Sequence, residues 1–210
     1  MTTLPEHMID RWDKRKDTAP GQGTVYWHML MKDHPQVVSM ARQAQQRLAR
    51  FPGLHMTPLD RLHMTTMIAG PAEHYTGDQL QEMITSASEL LSHIPPIPVT
   101  VGGILYHPEA IMLAVGPAQA LTPIRQAIEE ACMAITGQAA DDARRWRPHI
   151  TICYSTMVQP VQPLIQTLGS ELDRREIRID SASLVIQHGP ERLWDWQTIG
   201  TVRLPAPART

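Results

Sequence analysis

FPGLHMTPLDRLHMTTMIAG, residues 51–70, carries His-Met-Thr twice, as His55-Met56-Thr57 and His63-Met64-Thr65. A third His-x-Thr sits far downstream in RPHITICYS, residues 147–155, as His149-Ile150-Thr151. How the three triplets sort decides the architecture. Side chains alternate across a strand. In HITICYS this puts His149, Thr151 and Cys153 on one face and Pro148, Ile150, Ile152 and Tyr154 on the other. In LHMTTMI it groups His63, Thr65 and Met67 against Leu62, Met64, Thr66 and Ile68. The aliphatic faces belong to a core, which turns the His/Thr faces toward a cleft. Thr66 is the misfit, a hydroxyl in an aliphatic slot, and a buried hydroxyl needs a partner. The first triplet differs, because Pro52-Gly53 and Pro58 fence it and proline argues against an interior strand. A loop leading into the His63 strand is expected there, with His55 solvated or locally bonded.

Working outward, periodicity orders the chain into elements. Residues 24–31 read as a strand and 35–51 as a helix with Pro35 in its first turn. The strand 61–68 precedes a helix 76–94, which Thr76 and Gln79 open with a capping box. Residues 98–106 and 110–116 form a hairpin around His107-Pro108-Glu109. The order then restarts. A helix 122–136 has Thr122 as N-cap and Pro123 at its first position. The strand 149–155 and a helix 159–172 follow. A closing hairpin, 176–187 with 193–204, surrounds His188-Gly189-Pro190-Glu191. Strands starting at 24 and 110 stand 86 residues apart, and so do His63 and His149. This spacing predicts a duplicated half-domain, with pseudo-repeats of about 24–106 and 110–187 and a last strand 193–204. The fold class is α+β: two lobes, each presenting an antiparallel sheet to a central cleft, helices outside. Residues 1–22 are expected as a polar arm, 23–204 as one bilobal domain and 205–210 as a tail.

Two imidazoles meeting across a cleft, each with a hydroxyl two residues on, suit phosphoryl transfer. Histidine titrates near neutrality, so one ring can be neutral and take a proton while the other is protonated and gives one. Two threonine hydroxyls can donate to the non-bridging oxygens of a phosphate between them. No metal is required. No His-Glu-x-x-His, Cys-x-x-Cys or Gly-x-Ser-x-Gly motif points to a metal hydrolase or a serine nucleophile. Around this site Tyr26 and His28 alternate on the first strand and can line the cleft. Arg147 heads a cluster with Arg144 and Arg145, from which one side chain can reach a phosphate, and Arg61 holds the analogous place before His63. Trp27 reads as core, as do Trp194 and Trp196, which share a face of the last strand. His107 and His188 read as solvated turn residues.

Composition narrows the partners. The 210 residues carry a formal net charge of −2, with 19 Lys+Arg against 21 Asp+Glu. That balance excludes a basic grip on a long nucleic-acid duplex and leaves a nucleotide or an RNA end. Two cysteines make no disulfide framework. The N-terminal MTTLPEHMIDRWDKRKD has no apolar secretory core, and no apolar run suits a membrane span. A cytoplasmic, monomeric protein is expected.

The pair LHMTTM and PHITIC resembles the 2H phosphoesterase superfamily, which is defined by two His-x-Thr/Ser-x motifs in a duplicated α+β fold. Within it, the chain is most similar to the bacterial 2′-5′ RNA ligase-like and cyclic phosphodiesterase branch, over roughly residues 23–204. The resemblance implies His63 and His149 as the catalytic acid/base pair and Thr65 and Thr151 as phosphate ligands. It implies no cofactor, and action on 2′,3′-cyclic phosphates or 2′-5′ phosphodiester bonds, by hydrolysis or reversible ligation. The alternative is a module on the same fold that binds nucleotide or RNA without turning it over.

Overall fold

A computed structural model describes residues 4–15, 17–19, 21–137 and 146–206. Three helices match the hydrophobic periodicity closely. α1 (Pro35–Leu48) starts with proline, and buries Val37, Met40, Ala41, Ala44 and Leu48 along one stripe. α2 (Gly77–Leu91) opens on Thr76, whose side chain accepts from the Gln79 N–H while the Gln79 side chain accepts from the Thr76 N–H. That reciprocal cap contributes roughly 1 kcal/mol. α3 (Thr122–Thr136) departs from expectation at its start: Thr122 is already helical, and Leu121 caps without a side-chain bond, because a short 3₁₀ turn, Ala118–Leu121, leads in. It ends at Gly137, φ +65°, whose N–H bonds the Met133 carbonyl. Only glycine takes that left-handed cap without strain. α4 (Gln162–Leu168) is half the expected length. Gly169 at φ +77° stops it, and the chain turns at once into a strand.

Among the described residues, eleven strands give two large antiparallel sheets and one short pair. The first sheet runs β11 (Trp196–Arg203), β10 (Ser181–His188), β2 (Gly23–Leu30), β4 (His63–Pro71). The second runs β3 (Leu54–Met56), β7 (His149–Ser155), β6 (Ala110–Gly116), β5 (Ile97–His107), β9 (Glu171–Ile179). The expected single strand 176–187 is thus two. Its first part pairs with β5 and its second with β2, so the chain changes sheets at Asp180. The expected polar arm also contains a strand, β1 (His7–Met8), paired with β8 (Gln159–Pro160).

Strand order is the same in both sheets from the His strand inward: β4-β2-β10 and β7-β6-β5. The sheets are built by exchange. β5, from the first half of the chain, pairs with β6, while β10, from the second half, pairs with β2. Helices exchange too: α1 lies with α4 against β7 and β9, while α3 lies with α2 against β4 and β11. The approach of α2 is close, since a Cβ on Gly200 would sit 2.5 Å from Ile84 Cδ1. One continuous apolar core lies between the sheets and their outer helices, with Trp27, Met29, Met64, Ile111 and Ile150 all essentially inaccessible. Each such side chain contributes on the order of 1.5–3 kcal/mol by leaving water. A smaller cluster of Ala110, Tyr154, Trp194 and Trp196 floors the space between the sheets.

Candidate active site

His63 opens β4 directly after a short 3₁₀ turn, Leu59–Arg61, and extended Leu62, and His149 opens β7 directly after Pro148. Leu30 faces His63 across β2 and β4, and Ala114 faces His149 across β6 and β7. His63 Nδ1 lies 2.8 Å from the Arg61 carbonyl oxygen, and His149 Nδ1 lies 2.7 Å from that of Arg147. A carbonyl only accepts, so Nδ1 carries the proton in both rings and Nε2 is left for the cleft. Each imidazole is therefore set in the same tautomer by the backbone two residues earlier. Thr65 and Thr151 share the cleft wall with the two rings.

Both His strands then break their alternation at the same place. His28 pairs with Thr65 but Trp27 pairs with Met67, which leaves Thr66 as an extra residue. Met112 pairs with Thr151 but Ile111 pairs with Cys153, which leaves Ile152 extra. A bulge keeps two residues on one side and reverses the phase beyond it. The expected faces are corrected accordingly. Cys153 turns to the core, and Ile68 and Tyr154 turn to the cleft, while Met67 lines the cleft and packs against the core as well. The Cys153 thiol is fully buried and pushed up to about 12 by desolvation, which removes it as a nucleophile. Thr66, the misfit of the sequence, is the bulge residue. It is buried and its hydroxyl has no partner among the described residues.

The surroundings of the two rings differ. His28 packs against His63 with centroids 4.2 Å apart and the rings tilted by 37°, and stacks on Tyr26 at 5.1 Å. Trp196 and Trp194 each form a T-shaped pair with His63, at 4.8 and 6.2 Å. Burial among these rings pushes the His63 imidazole down to about 4, with the Arg61 carbonyl and Glu191 working the other way. His28 is driven well below its ordinary value by burial and by His63. His149 is lowered as well, by burial first. The charge of His149 reaches His63, so the two titrate as neighbours across one space.

That space is a cleft of about 1580 Å³, larger than the ~300–1,000 Å³ that suffices for one small ligand. Tyr26, His28 and Arg147 are among the residues that line it; Arg144 and Arg145 lie outside the described residues. His107, expected in a solvated turn, also lines it, at the end of β5. His55 does not belong to a loop: it is the middle residue of the edge strand β3, opposite Tyr154. Proline is tolerated on such an edge, which is why Pro52 and Pro58 can flank it. Its Nε2 lies 3.2 Å from Trp194 Nε1, away from the pair that heads β4 and β7.

Trp194 and Trp196 do not share one strand face. Trp194 precedes β11 in a left-handed conformation, φ +55°, the sole non-glycine residue so placed among the described residues. That turn stacks its ring on Tyr154 at 5.8 Å. Sequence reasoning missed this, along with Trp146, whose Nε1 donates to the Thr65 carbonyl at 3.0 Å. It also missed Arg11. From the N-terminal arm, Arg11 grips Glu191 through Nε and Nη2 at 2.9 and 2.8 Å, and Glu109 through Nη1 at 2.9 Å. It covers the Tyr154 ring at 4.2 Å. The two glutamates come from the matching His-Pro-Glu and His-Gly-Pro-Glu turns, which the arm joins. Among the described residues no group of three or more His, Cys, Asp or Glu is placed to hold a metal ion, and no helix is long and apolar enough to cross a membrane.

Residues 33–191 match the 2′-5′ RNA ligase superfamily. No curated relative matches the sequence. Among solved structures, the fold is similar to TT0787 of Thermus thermophilus, with TM-score 0.69, 14% identity and coverage of 88% of this chain and 99% of that one. It is similar to E. coli LigT complexed with ATP, with TM-score 0.60, 14% identity and coverage of 87% and 98%. The MHV ns2 PDE domain follows at TM-score 0.55 and 14% identity, covering 75% of this chain and 88% of that one.

Proposed function

The chain belongs to the 2′-5′ RNA ligase superfamily, and from that premise we propose that it is a metal-independent phosphoesterase acting on 2′,3′-cyclic phosphates or 2′-5′ phosphodiester bonds of a nucleotide or RNA end. His63 and His149 are the acid/base pair, and Thr65 and Thr151 hold the phosphate. The observation that carries this reading is the matched setting of the two imidazoles, each with Nδ1 on a backbone carbonyl and Nε2 left toward one cleft. A neutral Nε2 accepts a proton from water as the water oxygen bonds to phosphorus. The bond from phosphorus to one ribose oxygen breaks, and the other Nε2–H delivers a proton to that oxygen. Run backward, the same pair joins ends with the two roles exchanged. Phosphorus chemistry of this kind needs positioning and charge stabilisation more than covalent help. E. coli LigT has been crystallised with ATP and with 3′-AMP, which supports a small nucleotide as ligand here. The repeated strand order and the paired bulges support a half-domain repeat as the origin of the matched site.

The test is turnover of 2′,3′-cyclic nucleotides in the presence of EDTA. Wild type is expected to open the ring, and His63→Ala and His149→Ala to lose that activity. Nucleotide binding with no turnover in wild type would instead mark a binding module on the same fold.

A further inference from the structure

The two His-x-Thr strands are matched down to their bulges, yet their partners in the sheet are not. The residue opposite Thr65 is His28, and the residue opposite Thr151 is Met112. The two lobes differ at this position. His28 is 1% exposed, and its Nδ1 has no hydrogen-bond partner among the described residues. Charge on a ring buried this deeply is costly, and burial outweighs the Trp27 backbone that favours it, so the ring stays neutral. It packs on His63 at 4.2 Å with a tilt of 37°, close enough to displace water from that side of the ring. Trp196 closes another side at 4.8 Å. Among the described residues no aromatic ring packs on His149 in this way.

We propose that His28 is a positioning residue that keeps water from one side of His63 and so holds that ring as the neutral imidazole. The inference rests on the phosphoesterase reading above and adds to it a residue that sets the charge of one ring of the pair. Other groups face His63 and bear on its charge: Glu191 from the β10–β11 connection favours the protonated ring, His149 on β7 opposes it, and the Arg61 carbonyl favours it. The Arg61 guanidinium stands over the Trp196 ring at 5.4 Å. Around His28 the neighbours are His63, the neutral phenol Tyr26 at 5.1 Å and Trp196 at 5.3 Å. Among the described residues nothing anionic bears on His28, so burial and the neighbouring His63 keep the His28 ring neutral.

The test reads the His63 ring directly. Imidazole ¹⁵N NMR titrations of the full chain are compared for wild type, His28→Phe and His28→Ala, with His63→Gln assigning the resonance. Phe keeps an apolar ring over His63, so its midpoint is expected within a few tenths of a unit of wild type. Ala admits water, and the midpoint is expected to rise by roughly one unit toward the ordinary histidine value. One limb of the kcat/KM profile for a 2′,3′-cyclic nucleotide, the one that reports His63, should move by the same amount while the other stays. A midpoint unmoved in folded His28→Ala, or raised equally in both variants, overturns the proposal. His28→Asn takes the place of Ala if that variant does not fold, with the same rise expected. Wild type without turnover would sink the phosphoesterase reading and leave the midpoints standing, whereas turnover with unmoved midpoints would sink this inference alone.

Discussion

The sheet that carries His63 and the sheet that carries His149 hold their His-x-Thr side chains in the same way and surround them differently. Both rings hang from the carbonyl two residues back, both strands place a threonine two residues on, and both bulge at the next residue. Those shared features fix where the nitrogen and the hydroxyl point. What differs is the medium: His28 and the indoles of Trp196 and Trp194 close around His63, and no aromatic ring among the described residues packs on His149 in this way. Under the proposed reaction, which takes one proton and gives another, the likeness of the two strands would serve the grip on the phosphate and the unlike surroundings would set the two proton affinities apart.

The largest effects should come from removing the matched elements. His63→Ala and His149→Ala should each lower kcat/KM for a 2′,3′-cyclic nucleotide by about 10²–10⁴-fold, and the double variant should be little worse than either, since paired acid and base act as a unit. Next, Thr65→Val and Thr151→Val should each cost on the order of 10²-fold in kcat, the usual loss for one donor to a charged transition state. A large disparity between the two would show that the phosphate is gripped from one lobe. A third outcome concerns pH and folding. The folded His63 value lies below the ordinary 6.5, at about 4, so the unfolded chain binds more protons in that window. Stability should therefore rise with pH across it and fall as pH drops through it, and urea titrations from pH 4 to pH 7 should show that slope, flattened in His63→Phe. Arg11→Met should come next. It leaves Glu191 without its guanidinium and Glu109 with Arg15 alone, and should lower stability by ~1–3 kcal/mol, read as a fall of several degrees in Tm. The smallest effect is expected at His55→Ala, whose turnover should stay within a few-fold of wild type. A collapse there would mean that the third triplet takes part in the chemistry.

Much of this was legible from the chain. The strands through His63 and His149, the cap at Thr76 and the repeat of element order follow from periodicity and cap chemistry, which are local. Family membership, the α+β class and the two facing sheets agree with the sequence reading. The misreadings share one cause: a long-range partner overrode a local pattern. Strict alternation put Cys153 in the cleft and Tyr154 away from it, and a bulge against β6 reversed both. Thr66 was the one local trace of its bulge, a polar side chain in an aliphatic slot. The strand through 176–187 reads as continuous because nothing in its pattern marks the change of sheet at Asp180. His55 looked like a loop residue because proline signals a missing donor, and an edge strand has a side where none is needed. The grip of Arg11 on two turns more than ninety residues away leaves no local trace at all.

The exchange of strands and helices between the sheets has a consequence for how the molecule can be taken apart. Cut near Pro108, the chain would give two pieces that each lack half of both layers. The N-terminal piece would hold β2 and β4 without β10, and β5 without β6. Neither fragment encloses a core of its own, so neither should fold alone. Mixed together, they should reassociate by mutual templating into the native assembly. Folding of the intact chain then depends on contacts far apart in sequence, which favours one slow, all-or-none transition over the separate melting of two lobes.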